Sequence, residues 1–208
     1  MKIGVPASVT GIERSFGQLL LTWFVVPFGT VAVAAHSLIQ RVDQFIHMPG
    51  GGLGRAAGVL AAQNLGARQP ERAEKSGWLG AGLYTVIMVV GSLVVWFWGK
   101  NIVGIFNPEP ALVEIGATFL RIEIVSYMVF GLAIVLQQCL TGIGDTVPTM
   151  LVVLLSIWGV QVPLAFFLSR YTVLGVYGTR WGFVSATVVR AVIYAIYFKV
   201  GRWKRKKV

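Results

Sequence analysis

Apolar runs long enough to cross a lipid bilayer recur along this chain, and they leave few folds open to it. Leu83 to Phe97, for example, carries no charged residue. A membrane helix needs about 20 predominantly apolar residues to cross a hydrocarbon core of about 30 Å. Within that core every backbone amide must find its partner inside the protein, so only helices and closed barrels can span it. A barrel would show strands of about 10 residues with alternating polarity, the opposite of these runs. Composition agrees: 56% of the 208 residues are hydrophobic and 12% are charged, against about 25% charged in soluble domains. With short connections the length accommodates about six spans. The expected fold is an all-α membrane protein, one bundle of six transmembrane helices over residues 1–200, followed by a basic tail at 201–208.

Proline and glycine set the boundaries. Span one runs from about Val5 to Val26, with Pro6 near its start and Pro27-Phe28-Gly29 ending it. Span two, Val31 to Leu65, would exceed about 50 Å as an unbroken helix. The sequence Met48-Pro49-Gly50-Gly51-Gly52 therefore predicts a break or sharp bend, because proline removes a helical hydrogen bond and glycine weakens the helix around it. Gly66 to Lys75 reads as an aqueous loop or surface helix. Span three runs from Leu79 to Trp98, with Trp96 and Trp98 at an interface. After the turn Asn107-Pro108-Glu109-Pro110, span four covers Leu112 to Leu140. A tight Gly142-Ile143-Gly144-Asp145-Thr146 connection follows, in which Asp145 or Thr146 is placed to cap the next helix. Span five ends near Leu168, and span six covers Trp181 to Val200.

The net charge of +10 gathers at the ends of the apolar runs, which is the pattern of membrane topology and not of a nucleic-acid surface. Six crossings place Lys2, Arg68, Arg72, Lys75, Lys199, Arg202, Lys204, Arg205, Lys206 and Lys207 on one side, against Lys100, Arg170 and Arg180 on the other. That asymmetry predicts both termini in the cytoplasm and the chain in the inner membrane. The cluster from Gly201 to Lys207 reads as an anchor to anionic lipid. Thr10, Glu13 and Arg14 interrupt any cleavable signal, so span one is expected to remain in the product. Cys139 is alone, which excludes an intrachain disulfide and a cysteine metal site.

The order of this punctuation resembles one lobe of a multidrug and toxic-compound extrusion (MATE) transporter. The resemblance rests on Gly29 with Val33-Ala34-Ala35-His36, Met48-Pro49 through Gly54, and Gln63-Asn64-Leu65-Gly66-Ala67. It continues with Phe119-Leu120-Arg121-Ile122, Gly142 to Pro148, and the closing Gly201-Arg202-Trp203-Lys204. It implies a twelve-helix carrier of two pseudosymmetric lobes that exchanges sodium ions or protons for organic, often cationic, compounds. This chain covers one lobe, and its basic tail and Pro6 to Glu13 opening look more like the second. A missing lobe, or a second copy of the chain, is then the expected partner, beside the bilayer and a small substrate. No cofactor is implied.

Polar residues at membrane depth are costly and mark candidate sites. Glu13 sits where the family carries an acid on the opening helix of its second lobe, so the resemblance implies a role in exchanging the coupling ion; a static pair with Arg14 is the competing reading. His36, Gln40, Asp43, Gln44 and His47 recur at spacings of three and four and so share one helical face. They lack a compact metal-ligand pair, and a hydrated substrate-path wall or a hydrogen-bond ladder explains them better. On span four, Glu123, Tyr127 and Phe130 share a face, with Gln137 farther along. Glu123 is a second ion-coupling candidate, though a pair with Arg121 or Arg190 explains it more simply. Some sodium-coupled relatives carry an acid deeper in this helix, whereas Phe130 to Leu140 contains none here.

Nucleotide-binding, serine-hydrolase and zinc-protease signatures are absent from the sequence, which argues against an enzyme. The leading reading is a secondary efflux antiporter working by alternating access. A lipid-linked saccharide flippase of the same superfamily would need a strongly cationic cavity, and few arginines fall at mid-depth by this reading. A membrane assembly protein without transport is the third.

Overall fold

The computed structural model describes residues 4–205, with side chains from 8 to 204. Lys2, Lys206 and Lys207, counted above for topology, lie outside the described residues. Among the described residues the fold is all α: α1 (Gly4–Val25), α2 (Thr30–Gly66), α3 (Pro70–Phe106), α4 (Pro110–Gly142), α5 (Thr146–Leu154), a π-helical turn (Leu155–Gln161), α6 (Val162–Tyr171) and α7 (Tyr177–Val200). As α5, the π turn and α6 form one rod, the bundle has six rods, as the apolar runs predict. Four of them, α3, α4, the rod Thr146–Tyr171 and α7, are long and apolar enough to cross a membrane on their own. The other two, α1 and α2, carry polar faces.

Two expectations near α2 change. Of the break or sharp bend expected near Pro49, the break is absent, and helical backbone runs from Thr30 to Gly66. Gly50 lets the ring of Tyr84 lie against the backbone where any Cβ would clash at 2.1 Å, and the Tyr84 hydroxyl donates to the carbonyl of His47 at 3.3 Å. The proline itself removes the donor to the Phe45 carbonyl, so the Tyr84 bond to His47 ties α3 to α2 nearby without replacing it. Of the aqueous loop or surface helix expected at Gly66 to Lys75, the helix holds from Pro70 onward. Arg68 turns the chain with φ of 58°, and α3 starts at Pro70, so Glu71 to Lys75 form its first turns. Both α2 and α3 have 37 residues and reach about 55 Å, longer than the hydrocarbon core.

The core is organised around α4, the most buried of the long apolar helices. Small residues bring backbones close to it, as in other membrane bundles. At Gly58 and Gly142 the backbones of α2 and α4 touch, and a Cβ at either would meet a carbonyl at 2.7 Å. The α3 helix buries a narrow stripe, including Ala73, Gly77, Ala81, Tyr84 and Met88, and turns Leu79, Leu83, Val86 and Val90 outward. A second, smaller cluster joins Leu21 and Phe24 of α1 to Ala165 of α6, with Phe183 of α7 packed on it.

The π turn precedes Pro163, which has no N–H to offer the carbonyl four residues back and would crowd it. Widening the helix by one residue relieves the conflict. At the far end, α7 stops at Gly201 in a left-handed conformation, φ 72°. The described part of the basic tail packs back onto the bundle. Trp203 is fully buried, stacks on Phe198 at 4.8 Å and donates its indole N–H to the Phe198 carbonyl at 2.9 Å, while Lys204 pairs with Glu74 of α3.

Candidate functional site

Between the two apolar clusters lies a cavity of about 380 Å³. Arg14, Gln18 and Leu21 line it from α1, and Ile157 and Gln161 from the π turn. Phe130, Ile134 and Gln137 line it from α4, and Arg180, Phe183, Thr187 and Arg190 from α7. The polar face of α2, with His36, Gln40, Asp43, Gln44 and His47, makes the remaining wall. The three-and-four spacing thus gathers these five residues on one surface of the cavity. Gln137 lines it too, whereas Tyr127, Glu123 and Glu13 do not.

Behind the α2 wall is a buried charge network. Glu123 is fully buried, and Arg180 donates to its carboxylate through Nη1. The same nitrogen stands 3.7 Å from Asp43. Through Nη2, Arg180 donates to His36 at the ring Nδ1, 3.1 Å, and at the backbone carbonyl, 3.2 Å. A guanidinium has donors only, so Nδ1 must accept, and a neutral His36 carries its proton on Nε2. The amide nitrogen of Gln40 is placed 3.0 Å from Nε2; with that proton there, the amide is turned over so that its oxygen accepts. The guanidinium also lies 4.7 Å above the ring of Phe119.

Tyr127 connects the two acids. Its hydroxyl reaches Asp43 in a short contact and Glu123 at 3.3 Å. One hydroxyl proton serves one carboxylate at a time, so filling both bonds requires a proton on a carboxyl group. His47 stacks on Phe130 at 3.8 Å, and its buried Nδ1 has no hydrogen-bond partner among the described residues.

Three expectations from the sequence are corrected. Arg180, counted among the outer charges, is 4% exposed inside α7, because the helix begins at Tyr177 and Arg180 sits in its first turn. Glu123 pairs with Arg180, not with Arg121 or Arg190. Glu13 and Arg14 form no ion pair with each other among the described residues: adjacent positions on a helix point about 100° apart, so Glu13 accepts from the indole of Trp158 and Arg14 donates to Gln137 at 3.4 Å.

Asp145 stands at the N-cap position of α5, and its carboxylate accepts a hydrogen bond from Tyr197 at 2.7 Å. Gln161 was invisible to the sequence reading. The one available hint was Pro163 inside an apolar helix.

Apolar helices enclosing a polar, charged cavity define a multi-pass membrane protein with a polar chamber inside its bundle. The chain belongs to the MatE family, whose model matches residues 6–167. It is 30% identical over its whole length to a Bacillus subtilis protein described as the probable multidrug resistance protein YoeA, covering 45% of that protein. It is 25% identical to a probable multidrug resistance protein NorM of Thermotoga maritima, again covering 45%. The chain therefore spans about half the length of the curated relatives it matches.

Among solved structures, MATE in the bent conformation matches with a TM-score of 0.90 at 18% identity, over 96% of this chain and 44% of that one. The MATE transporter ClbM in complex with Rb+ matches with a TM-score of 0.90 at 20% identity, over 99% and 48%. At these identities the likeness is one of fold. The fold is thus that of one lobe of a MATE-type transporter.

Proposed function

We propose that this chain forms one lobe of a secondary efflux antiporter, exporting organic compounds in exchange for sodium ions or protons. Its other half is a second lobe or a second copy of the chain. The observation that carries this reading is an unbalanced charge. Asp43 and Glu123 share the single guanidinium of Arg180, leaving one negative charge in a setting where isolated charge is expensive. A proton or a cation arriving through the cavity neutralises it and favours one conformation over the other, which is how ion binding drives alternating access. Glu13, whose described partner is a neutral indole, is a second coupling carboxylate in this reading. His36, Gln40, Gln44, His47, Tyr127 and Gln137 form or back the substrate path.

Both termini face the cytoplasm in this arrangement. Burial of Arg180 removes it from the outer charges and leaves Lys100 and Arg170 there, which strengthens the asymmetry. The names of the relatives favour drug export over lipid-linked saccharide flipping. The test uses the full-length protein carrying this chain in vesicles, with ethidium efflux followed under imposed sodium or proton gradients. Glu123→Gln and Asp43→Asn are expected to abolish the gradient dependence while the protein still inserts. Wild-type gradient dependence in both variants defeats the coupling role.

A further inference from the structure

The cavity wall carries three arginines, Arg14, Arg180 and Arg190, against one carboxylate, Asp43. Adding Glu123 behind the wall, the formal balance is three positive charges to two negative. Arg180 is the ion-pair partner of both acids, a network that keeps one negative charge and does not include Arg14 or Arg190. Arg14 and Arg190 have no carboxylate within ion-pair distance among the described residues. Among the described residues Arg14 makes only the 3.4 Å bond to Gln137, and the buried Nε of Arg190 has no hydrogen-bond partner. The partly buried Arg190 with its unmet donor is costly, and the cost falls when an anion meets it, with the exposed guanidinium of Arg14 as a second donor group.

We propose that the cavity binds its cargo by an acidic group, a carboxylate, sulfonate or phosphate held between Arg14 and Arg190. The apolar body of the molecule lies against Leu21, Ile134 and Phe183 on the same wall. The volume, about 380 Å³, is in the range of sites for drug-sized molecules. This deepens the export reading by naming a cargo class: amphiphilic acids and zwitterions carrying an exposed anion. It rests on that reading for the direction of transport alone, since the site is defined by binding.

The shared chemistry, an anion on two guanidinium groups, could also be supplied by an acidic side chain of the facing half. The test therefore measures equilibrium binding without any ion gradient, so that its outcome is independent of coupling. Full-length protein in nanodiscs is titrated with anilinonaphthalene sulfonate and with its neutral counterpart phenylnaphthylamine, and empty nanodiscs are subtracted. The sulfonate is expected to bind about tenfold tighter than the neutral probe. Arg14→Gln and Arg190→Gln should each remove most of that preference without changing the neutral probe, and Arg190→Lys should keep part of it. Equal wild-type affinity for the two probes overturns the proposal, as it would if an acid of the facing half filled the site. A sulfonate preference that survives both glutamine variants also overturns it. If Arg190→Gln does not fold, Arg14→Gln, at an exposed side chain, gives the answer.

Discussion

Arg180 of α7 bonds His36 of α2 twice, at the ring Nδ1 and at the backbone carbonyl, while its other terminal nitrogen holds Glu123 of α4. Three helices are thus pinned by one planar fork, a geometry that a lysine ammonium cannot reproduce.

Arg180→Lys and Arg180→Ala are both expected to lower thermal stability. Alanine costs more because it strands two buried carboxylates, a loss of about 3–5 kcal/mol by analogy with broken buried ion pairs. Thermal unfolding of purified protein, followed by size-exclusion chromatography, checks this. Equal stability of the alanine variant and wild type would refute the pinning role.

Gly58→Val should unfold at lower temperature than wild type, because its side chain would press on a carbonyl of α4, and overpacking costs about 1–3 kcal/mol. Gly82→Val is the control, as nothing lies within 4 Å of a Cβ there. The same melting assay should separate the pair.

Glu13→Gln is expected to reduce gradient-driven efflux in the full-length protein while leaving abundance unchanged, since the amide keeps its size and loses the charge. Trp158→Phe removes the indole donor but spares the carboxylate, and should retain most efflux. If the two variants behave alike, Glu13 serves only to fasten α1 to the π turn.

Trp203→Ala should destabilise the protein by about 3–5 kcal/mol, as large buried aromatics do when truncated. Lys204→Ala should cost no more than about 1 kcal/mol, because its pair with Glu74 is partly exposed. Reversal of that order in thermal melts would return the tail to a solvated or lipid-facing role.

Single cysteines at position 68, in the α2–α3 turn, and at the fully exposed position 173, in the loop before α7, should label from opposite faces of the membrane. Impermeant maleimide is expected to reach position 173 from outside and position 68 only after permeabilisation. The native Cys139 is buried and contributes little background.

The helices and the polar face of α2 were legible because both are periodic: apolar runs mark spans, and spacings of three and four mark a face. Arg180 was misread by the same logic, since counting treats a charge near the end of an apolar run as solvated. Its partners Asp43, Glu123 and His36 come from distant parts of the chain, and no local pattern announces them. Pro49 misled in a related way. Proline withdraws one donor, the one facing the Phe45 carbonyl, and the helix runs on through it from Thr30 to Gly66.

The π turn between α5 and α6 divides one rod into two separately indexed halves. The extra residue rotates α6 by about 100° relative to an uninterrupted helix. The α5 half answers to Tyr194 and Tyr197, which bond Thr149 and Asp145, whereas the α6 half is set by the close approach of Gly178 and Gly182 to its backbone. Ile157 and Gln161 on the cavity wall belong to the turn itself, so that stretch of wall can change its register without either half losing its seat.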